Sequence, residues 1–319
     1  MSHSWQPSAS LEVLKQRASL LAIIREFMAT RNILEVETPV LSHAGNTDPN
    51  LTSFTTRFTS PCATAAERLY LHTSPEFAMK RLLAAGSGPI YQICRVFRDE
   101  ELGRQHQPEF TMLEWYRPGF DHHALMSEMG DMLVLLGLAR PACRHYAPVF
   151  AAATGLDPHH ATDADLQSRS TQLGLQGTDH TRSVLLDFLF SMAVMPGLGV
   201  NGPEFIDDFP VCQAALARIR EGATPVAERF ELFIHGVEIA NGFHELTDAA
   251  EQRTRFEADN SRRQQQGHAP VPLDEHLLAA LTQGLPDCAG VALGIDRLLM
   301  QILGYDSIDK VVTFTCNQA

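Results

Sequence analysis

Residues 90 to 117 read IYQICRVFRDEELGRQHQPEFTMLEWYR. Two apolar runs flank a polar centre, the pattern of two strands joined by a long loop. Side chains alternate along a strand, so Ile90, Gln92, Cys94, Val96 and Arg98 share one face of the first strand. Phe110, Met112, Glu114 and Tyr116 share one face of the second. The loop, Asp99 to Gln107, carries Glu100, Glu101, Arg104 and His106. Charged residues are rarely buried without partners, so a strand ending in Arg beside a row of Phe, Glu and Tyr is unusual for a plain core. An edge hairpin with a solvated polar face would carry the same letters.

Working outward, a second informative stretch is RFELFIHGVEIANGFHEL, residues 229 to 246. His235-Gly236 between two apolar runs reads as a tight hairpin turn. That turn pairs Ile234 with Val237 and sets Phe233 opposite Glu238, leaving Glu231 diagonal to Glu238 on one face. Diagonal neighbours across a hairpin lie roughly 7–8 Å apart at the backbone. Two long carboxylates at that spacing can converge on a hard cation; an exposed polar face needs no cation and stays open as a reading. Asn241-Gly242 is expected to end the strand, with Glu245 in the next turn.

The remaining elements are ordinary. Leu11 to Arg31 has apolar residues at helical spacing (Leu14, Leu20, Leu21, Ile24, Phe27, Met28), and Asn32 can end it. Ile33 to Leu41 is extended and interrupted by Pro39. Leu51–Phe58 and Leu69–His72 read as short strands. Ser74, Pro75 and Glu76 sit where a helix favours a cap, a first-position proline and a first-turn acid. Ala124–Ala139 and Ser183–Met195 read as helices, and residues 140–200 as a mostly helical insertion. Adjacent histidines point different ways, so His122-His123 and His159-His160 read as surface polarity rather than shared metal ligands. Thr247 is expected to cap a charged helix, and Asp274–Gln283 forms another. Finally, Ala289 to Gly294 is a small-residue strand running into a helix at Ile295, with glycines that permit close approach of a ligand.

Composition sets bounds. The 319 residues allow a large core, expected as one domain over 1–319. Lys and Arg total 25 against 38 Asp and Glu, a net charge of −13, which argues against broad electrostatic capture of nucleic acid. The six cysteines show no metal-binding spacing and are expected to be reduced thiols of a cytoplasmic protein. Neither a signal peptide nor a membrane-spanning run of ~20 residues is visible.

The hairpin at 90–117 resembles motif 2 of class II aminoacyl-tRNA synthetases, and most closely the lysine type, with its Arg-x-Glu, its His-x-Pro-Glu-Phe-Thr and its Glu-x-Tyr. The helix and strand ending at Pro39 resemble motif 1, and Gly290-x-x-x-Gly294-x-Asp296-Arg297 resembles motif 3. The likeness runs from about Leu11 to the C-terminus. It implies an α+β class II catalytic fold, a mixed and mainly antiparallel sheet flanked by helices. No anticodon-binding domain is expected, and the tail of the sequence is similar to the stand-alone paralogues that attach (R)-β-lysine to elongation factor P. What the resemblance implies is ATP-dependent formation of an aminoacyl-adenylate, with Mg²⁺, a homodimer, elongation factor P as partner and no tRNA.

It also implies roles for residues. Arg98 would bridge the substrate carboxylate and the α-phosphate, a task for a planar permanent cation. Arg297 and His106 would hold the outer phosphates, and Phe110 would stack on adenine with Glu100 beside it. Gln107, Ile239 and Gly294 would complete the ATP site. Glu231 and Glu238 would hold Mg²⁺. Ser74, Glu76 and Asn241 would take the carboxylate-proximal end of the substrate, Glu245 and Tyr116 its distant ammonium, and Ala292 the wall between. Three positions depart from the pattern: Gln107 replaces an Asn, Asp99 replaces the paralogues' usual Asn, and Ala292 replaces a Gly of the tRNA-charging enzymes. A stripped-down synthetase charging tRNA, and a non-catalytic relative, are the alternatives. The second should have lost members of the set Arg98, Glu100, Glu231, Glu238 and Arg297, and all are present.

Overall fold

Helix α1 (Leu11–Thr30) starts where the Ser10 hydroxyl accepts the Val13 amide, and ends before Asn32, whose φ of 56° suits a short polar residue. The computed structural model describes residues 5–59, 67–99 and 101–319. These fall into two compact units, the first comprising Met1–Gly119, Thr247–Asp287 and Ala292–Ala319, the second Phe120–Leu246 and Cys288–Val291.

In the first unit, β1 (Leu34–Glu35) pairs in parallel with β5 (Ile90–Phe97), which pairs antiparallel with β6 (Glu109–Pro118). Three shorter strands, β2 (Leu41–Ser42), β3 (Thr55–Phe58) and β4 (Glu67–Leu71), form a separate sheet in the order β2-β4-β3. Helix α2 (Glu76–Ala84) follows. It begins one residue later than its sequence suggests: Pro75 is the cap, and the Ser74 hydroxyl accepts the Glu76 amide at 3.4 Å. The β5–β6 register sets Ile90 opposite Tyr116, Gln92 opposite Glu114, Cys94 opposite Met112 and Val96 opposite Phe110. The two faces read from alternation are therefore one continuous surface.

The second unit opens with α3 (His122–Leu135), capped by Asp121, then β7 (Ala142–His145), α4 (Tyr146–Thr154), α5 (Asp163–Gln172) and α6 (Arg182–Leu189). One widened turn, Phe190–Val194, continues α6. Residues 140–200 are thus mostly helical, with β7 and irregular connections between the helices, but not an appendage. Tyr146 stacks on Phe190 at 4.8 Å, and Phe190 meets Phe233 at 5.9 Å, so they build a core with the strands. Those strands are β8 (Glu204–Pro210), β9 (Ile219–Arg220), β10 (Val226–Ile234) and β11 (Val237–His244). β7 runs parallel to β8, and β8, β10 and β11 are antiparallel in that order. Strand pairing is therefore mixed and mainly antiparallel, with β1–β5 and β7–β8 as parallel pairs.

The His235-Gly236 turn is present, both residues having positive φ (49° and 73°). Ile234 pairs with Val237 and Phe233 with Glu238. A bulge then intervenes: Leu232 faces Ala240, so Ile239 is the extra residue and Glu231 lies opposite Asn241 rather than Ala240. Asn241-Gly242 does not end the strand, which continues to His244. Gly242 is there for packing, since a Cβ would lie 2.4 Å from the Phe230 ring and 2.9 Å from the Gly290 carbonyl oxygen.

The chain completes the first unit with α7 (Ala249–Gln265), capped by Asp248 instead of Thr247, and α8 (Glu275–Gly284), capped by Asp274. Strand β12 (Cys288–Gly294) leads directly into α9 (Ile295–Ile302). Asp296, in the first turn of α9, is buried; its carboxylate accepts the Thr111 amide of β6 at 2.7 Å and Arg17 of α1 at 2.5 Å. No helix among the described residues is long and apolar enough to cross a membrane.

Candidate active site

Arg98 follows β5 directly, and its amide donates to the Pro108 carbonyl at 2.9 Å, which closes the hairpin beneath it. Its guanidinium carbon sits 5.1 Å from the centre of the Phe110 ring, within cation–π range. Glu101 lies 3.6 Å from one terminal nitrogen, while the buried Nε has no hydrogen-bond partner. A guanidinium with an uncommitted buried N–H is suited to an anionic ligand. Glu100 lies outside the described residues.

In the loop, Arg297 from the first turn of α9 donates to His106 Nε2 at 2.5 Å and to the Gln105 carbonyl at 3.3 Å. Accepting at Nε2 leaves the His106 proton on Nδ1. Gln107 is buried and both ends of its amide are used inside the protein: it donates to Asp309 at 3.0 Å and accepts the Cys316 amide at 3.0 Å. It fastens the C-terminal segment to the loop instead of offering that amide to a ligand. On β12, Val291 and Leu293 are buried while Ala292 and Gly294 are partly exposed, so alternation turns the last two away from the core.

The amine-binding candidates of this unit come with partners that sequence reasoning did not find. Tyr116 donates to Glu114 at 2.7 Å, both buried, and Gln92 lies across the hairpin from Glu114. Glu114 shares the Phe110 face, which is the signal that could have singled it out. Lys80, itself buried, bridges to Glu76 at 2.7 Å one helical turn away. Burial, with the Glu114 charge adding to it, pushes the Cys94 thiol up to about 12, so this cysteine remains a neutral thiol.

In the second unit, Glu231 is bonded by Arg229, which also donates to Asn241 at 3.2 Å and to the Gln213 carbonyl at 2.8 Å. Arg229 thus fixes two of the expected site residues, and Arg-x-Glu on one strand face was its sequence signal. Burial raises the Glu231 carboxyl to about 7; the charge of Glu238 pushes the same way and Arg229 opposes. Two mutually repelling carboxylates with oxygen donors are the set that a hard divalent cation relieves, so these residues fit Mg²⁺. Glu245 is buried, and its amide donates to the Cys288 carbonyl at 2.9 Å while its backbone bridges to Ala217. Ile239, the bulge residue, is buried.

Residues 4–318 match the family described as tRNA synthetases class II (D, K and N). The chain belongs to that family. Among curated relatives, the elongation factor P--(R)-beta-lysine ligase of Vibrio parahaemolyticus is 51% identical over 318 residues, covering 98% of each chain. The protein of the same name from Vibrio cholerae is 53% identical over 314 residues, 97% of each. That from Salmonella paratyphi B is 50% identical over 320 residues, 99% of this chain and 98% of the other.

Proposed function

We propose that this chain is an ATP-dependent ligase that activates (R)-β-lysine and transfers it to a lysine side chain of elongation factor P. The observation that carries this is the end-to-end likeness, at about half identity, to proteins of that name. In the first half-reaction the substrate carboxylate attacks the α-phosphorus of ATP, forming the acyl-adenylate and releasing pyrophosphate. In the second, the neutral amine of the acceptor lysine attacks the acyl carbon; an amide forms, AMP leaves, and one proton is lost from the amine.

Joining two anions demands positioning and charge neutralisation. Arg98 is proposed to bridge carboxylate and α-phosphate with its free N–H. Arg297 and the neutral His106 are proposed to hold the outer phosphates, with Phe110 and Glu100 on the adenine and Gly294 leaving room beside the nucleotide. In the second unit, Glu231 and Glu238 are proposed to hold Mg²⁺, with Ile239 as a further ATP-site residue and Arg229 keeping Glu231 in place. Bound there, the ion would supply charge neutralisation for the polyphosphate. Ser74, Glu76 and Asn241 are proposed for the near end of the substrate, and Tyr116 and Glu245 for its far ammonium. Buried carboxylates favour a diamino acid because leaving such a group unpaired is costly. Gln107 is assigned the positioning of the His106 loop.

Mass spectrometry of purified elongation factor P and of bulk tRNA, after incubation with ATP and labelled lysine isomers, tests the reading. The expected result is a mass gain on the factor alone. A gain on tRNA, or on neither, removes it.

A homodimer belongs to the same proposal, on altered grounds. Leu20, Ile24, Phe27 and Met28 of α1 are covered by the chain itself, so that helix needs no partner to hide them. Leu34, Val40 and Leu41 are left exposed in the segment after it. Light scattering should give twice the 35.2 kDa of one chain, and Leu34→Glu with Leu41→Glu should halve it.

A further inference from the structure

The second unit gathers chemistry that the proposed reaction does not use. His122 is the first residue of α3, Glu228 lies on β10 and His244 is the last residue of β11. One ligating atom from each lies within 4.8 Å of the other two. Around a tetrahedral zinc with bonds of about 2.0–2.2 Å, donor atoms stand roughly 3.3–3.6 Å apart, so small side-chain rotations close the difference. The two histidine rings are near parallel, 27° apart, with centres at 6.4 Å.

The imidazole of His122 is the decisive group. It is 1% exposed, and neither ring nitrogen has a hydrogen-bond partner. Leaving a buried polar group unsatisfied is unfavourable. A packing role alone would be served better by Phe or Leu. Asp208 Oδ1 stands 3.9 Å from Nε2, near enough to take that N–H after a slight turn and leave the other nitrogen as a donor. A carboxylate behind a histidine is how metal-binding imidazoles are commonly oriented.

Charge balance points the same way. Asp207, Asp208 and Glu228 bring three carboxylates to this region, and Arg220 bonds Asp208 at 2.7 Å and Glu228 at 3.4 Å. The other Glu228 oxygen, Oε2, meets His244 Nδ1 at 2.6 Å. His145 and His123 approach Asp207 at 2.6 and 3.6 Å. The sequence argument against His122-His123 as a shared pair fails, because atoms of both rings and of Asp207 lie within 4.8 Å of one another and His122 is buried. It did not reach His122 with His244, which come from different elements.

We propose that His122, His244 and Glu228 form a binding site for a divalent transition metal of the zinc class, separate from the Mg²⁺ carboxylates. Imidazole with carboxylate selects such an ion over Mg²⁺, which prefers oxygen ligands and octahedral geometry. The ion would pin the start of α3 to the β10–β11 hairpin, one residue before Glu245.

The test uses full-length protein stripped with chelator and titrated with Co²⁺, then Zn²⁺, in excess Mg²⁺. One equivalent of Co²⁺ should bind and give the visible spectrum of a low-coordinate nitrogen-and-oxygen site, and Zn²⁺ should displace it. His122→Ala and His244→Ala should each weaken binding at least about tenfold. His145→Ala, which removes an imidazole paired with Asp207 and Asp208 and none of the three ligands, should leave it unchanged. Absence of Co²⁺ binding at micromolar concentration in the wild-type protein overturns the proposal, whatever the variants do. So does a folded His122→Ala protein that binds as tightly as wild type.

Discussion

The guanidinium of Arg98 rests over the ring of Phe110, 5.1 Å from its centre, at the point where the β5–β6 hairpin opens into its loop. The ring restrains the cation without using its N–H groups. Arg98→Ala should lower lysine-driven pyrophosphate exchange by about 10²–10³, the scale for one preorganised charge-stabilising group. Arg98→Lys should recover little of this, because an ammonium lacks the planar fork. Unchanged turnover in the Ala variant would take Arg98 out of the reaction.

Removing the Asp296 carboxylate should act on stability. It leaves Arg17 and the Thr111 amide without their shared acceptor. Breaking a buried ion pair from one side costs about 3–5 kcal/mol. Asp296→Ala should lower the denaturant midpoint accordingly, and a loss below about 1 kcal/mol would show that Arg17 is readily solvated instead.

A pH effect follows from Glu231. Its carboxyl is raised to about 7 by burial and by Glu238, so it is protonated below that value and ionised above it. Mg²⁺ needs the ionised form. The Mg²⁺ concentration giving half-maximal exchange should therefore rise as pH falls through about 7, and Glu231→Gln should flatten that dependence. A requirement independent of pH in the wild-type enzyme would place the ion elsewhere.

Ala292 tests selectivity. It is partly exposed on β12 between buried Val291 and Leu293, and carries one methyl more than a Gly would there. A methyl in a tight pocket discriminates by about 1–3 kcal/mol, roughly 10- to 200-fold. Ala292→Gly should raise activation of α-lysine relative to (R)-β-lysine within that range. An unchanged ratio of specificity constants would reduce Ala292 to a packing residue.

The hairpins were legible because strand alternation and turn chemistry are local. Arg98 beside Phe110, and Phe233 opposite Glu238, follow from counting by twos. The bulge at Ile239 escaped that count, since a single inserted residue leaves no compositional trace. Gly242 was misread as a strand end because its cause, the Phe230 ring, is distant in sequence. Partners such as Lys80 for Glu76 and Asp309 for Gln107 were hidden for a related reason. Pattern reading shows which faces residues share, whereas these bonds depend on how elements pack. The His122–His244 pairing joins a helix start to a strand end and has no periodic signature at all.

The Asp296 clamp also bears on the order in which the chain folds. Its partners, Arg17 and Thr111, lie 279 and 185 residues away along the chain. Loop closure over such spans is entropically unfavourable until other contacts have brought the segments near. The clamp is therefore expected to close late, after the rate-limiting step. Loss of the carboxylate should accelerate unfolding while leaving the refolding rate almost untouched. The same bond would then govern how long a folded molecule lasts, and hardly at all how quickly it forms.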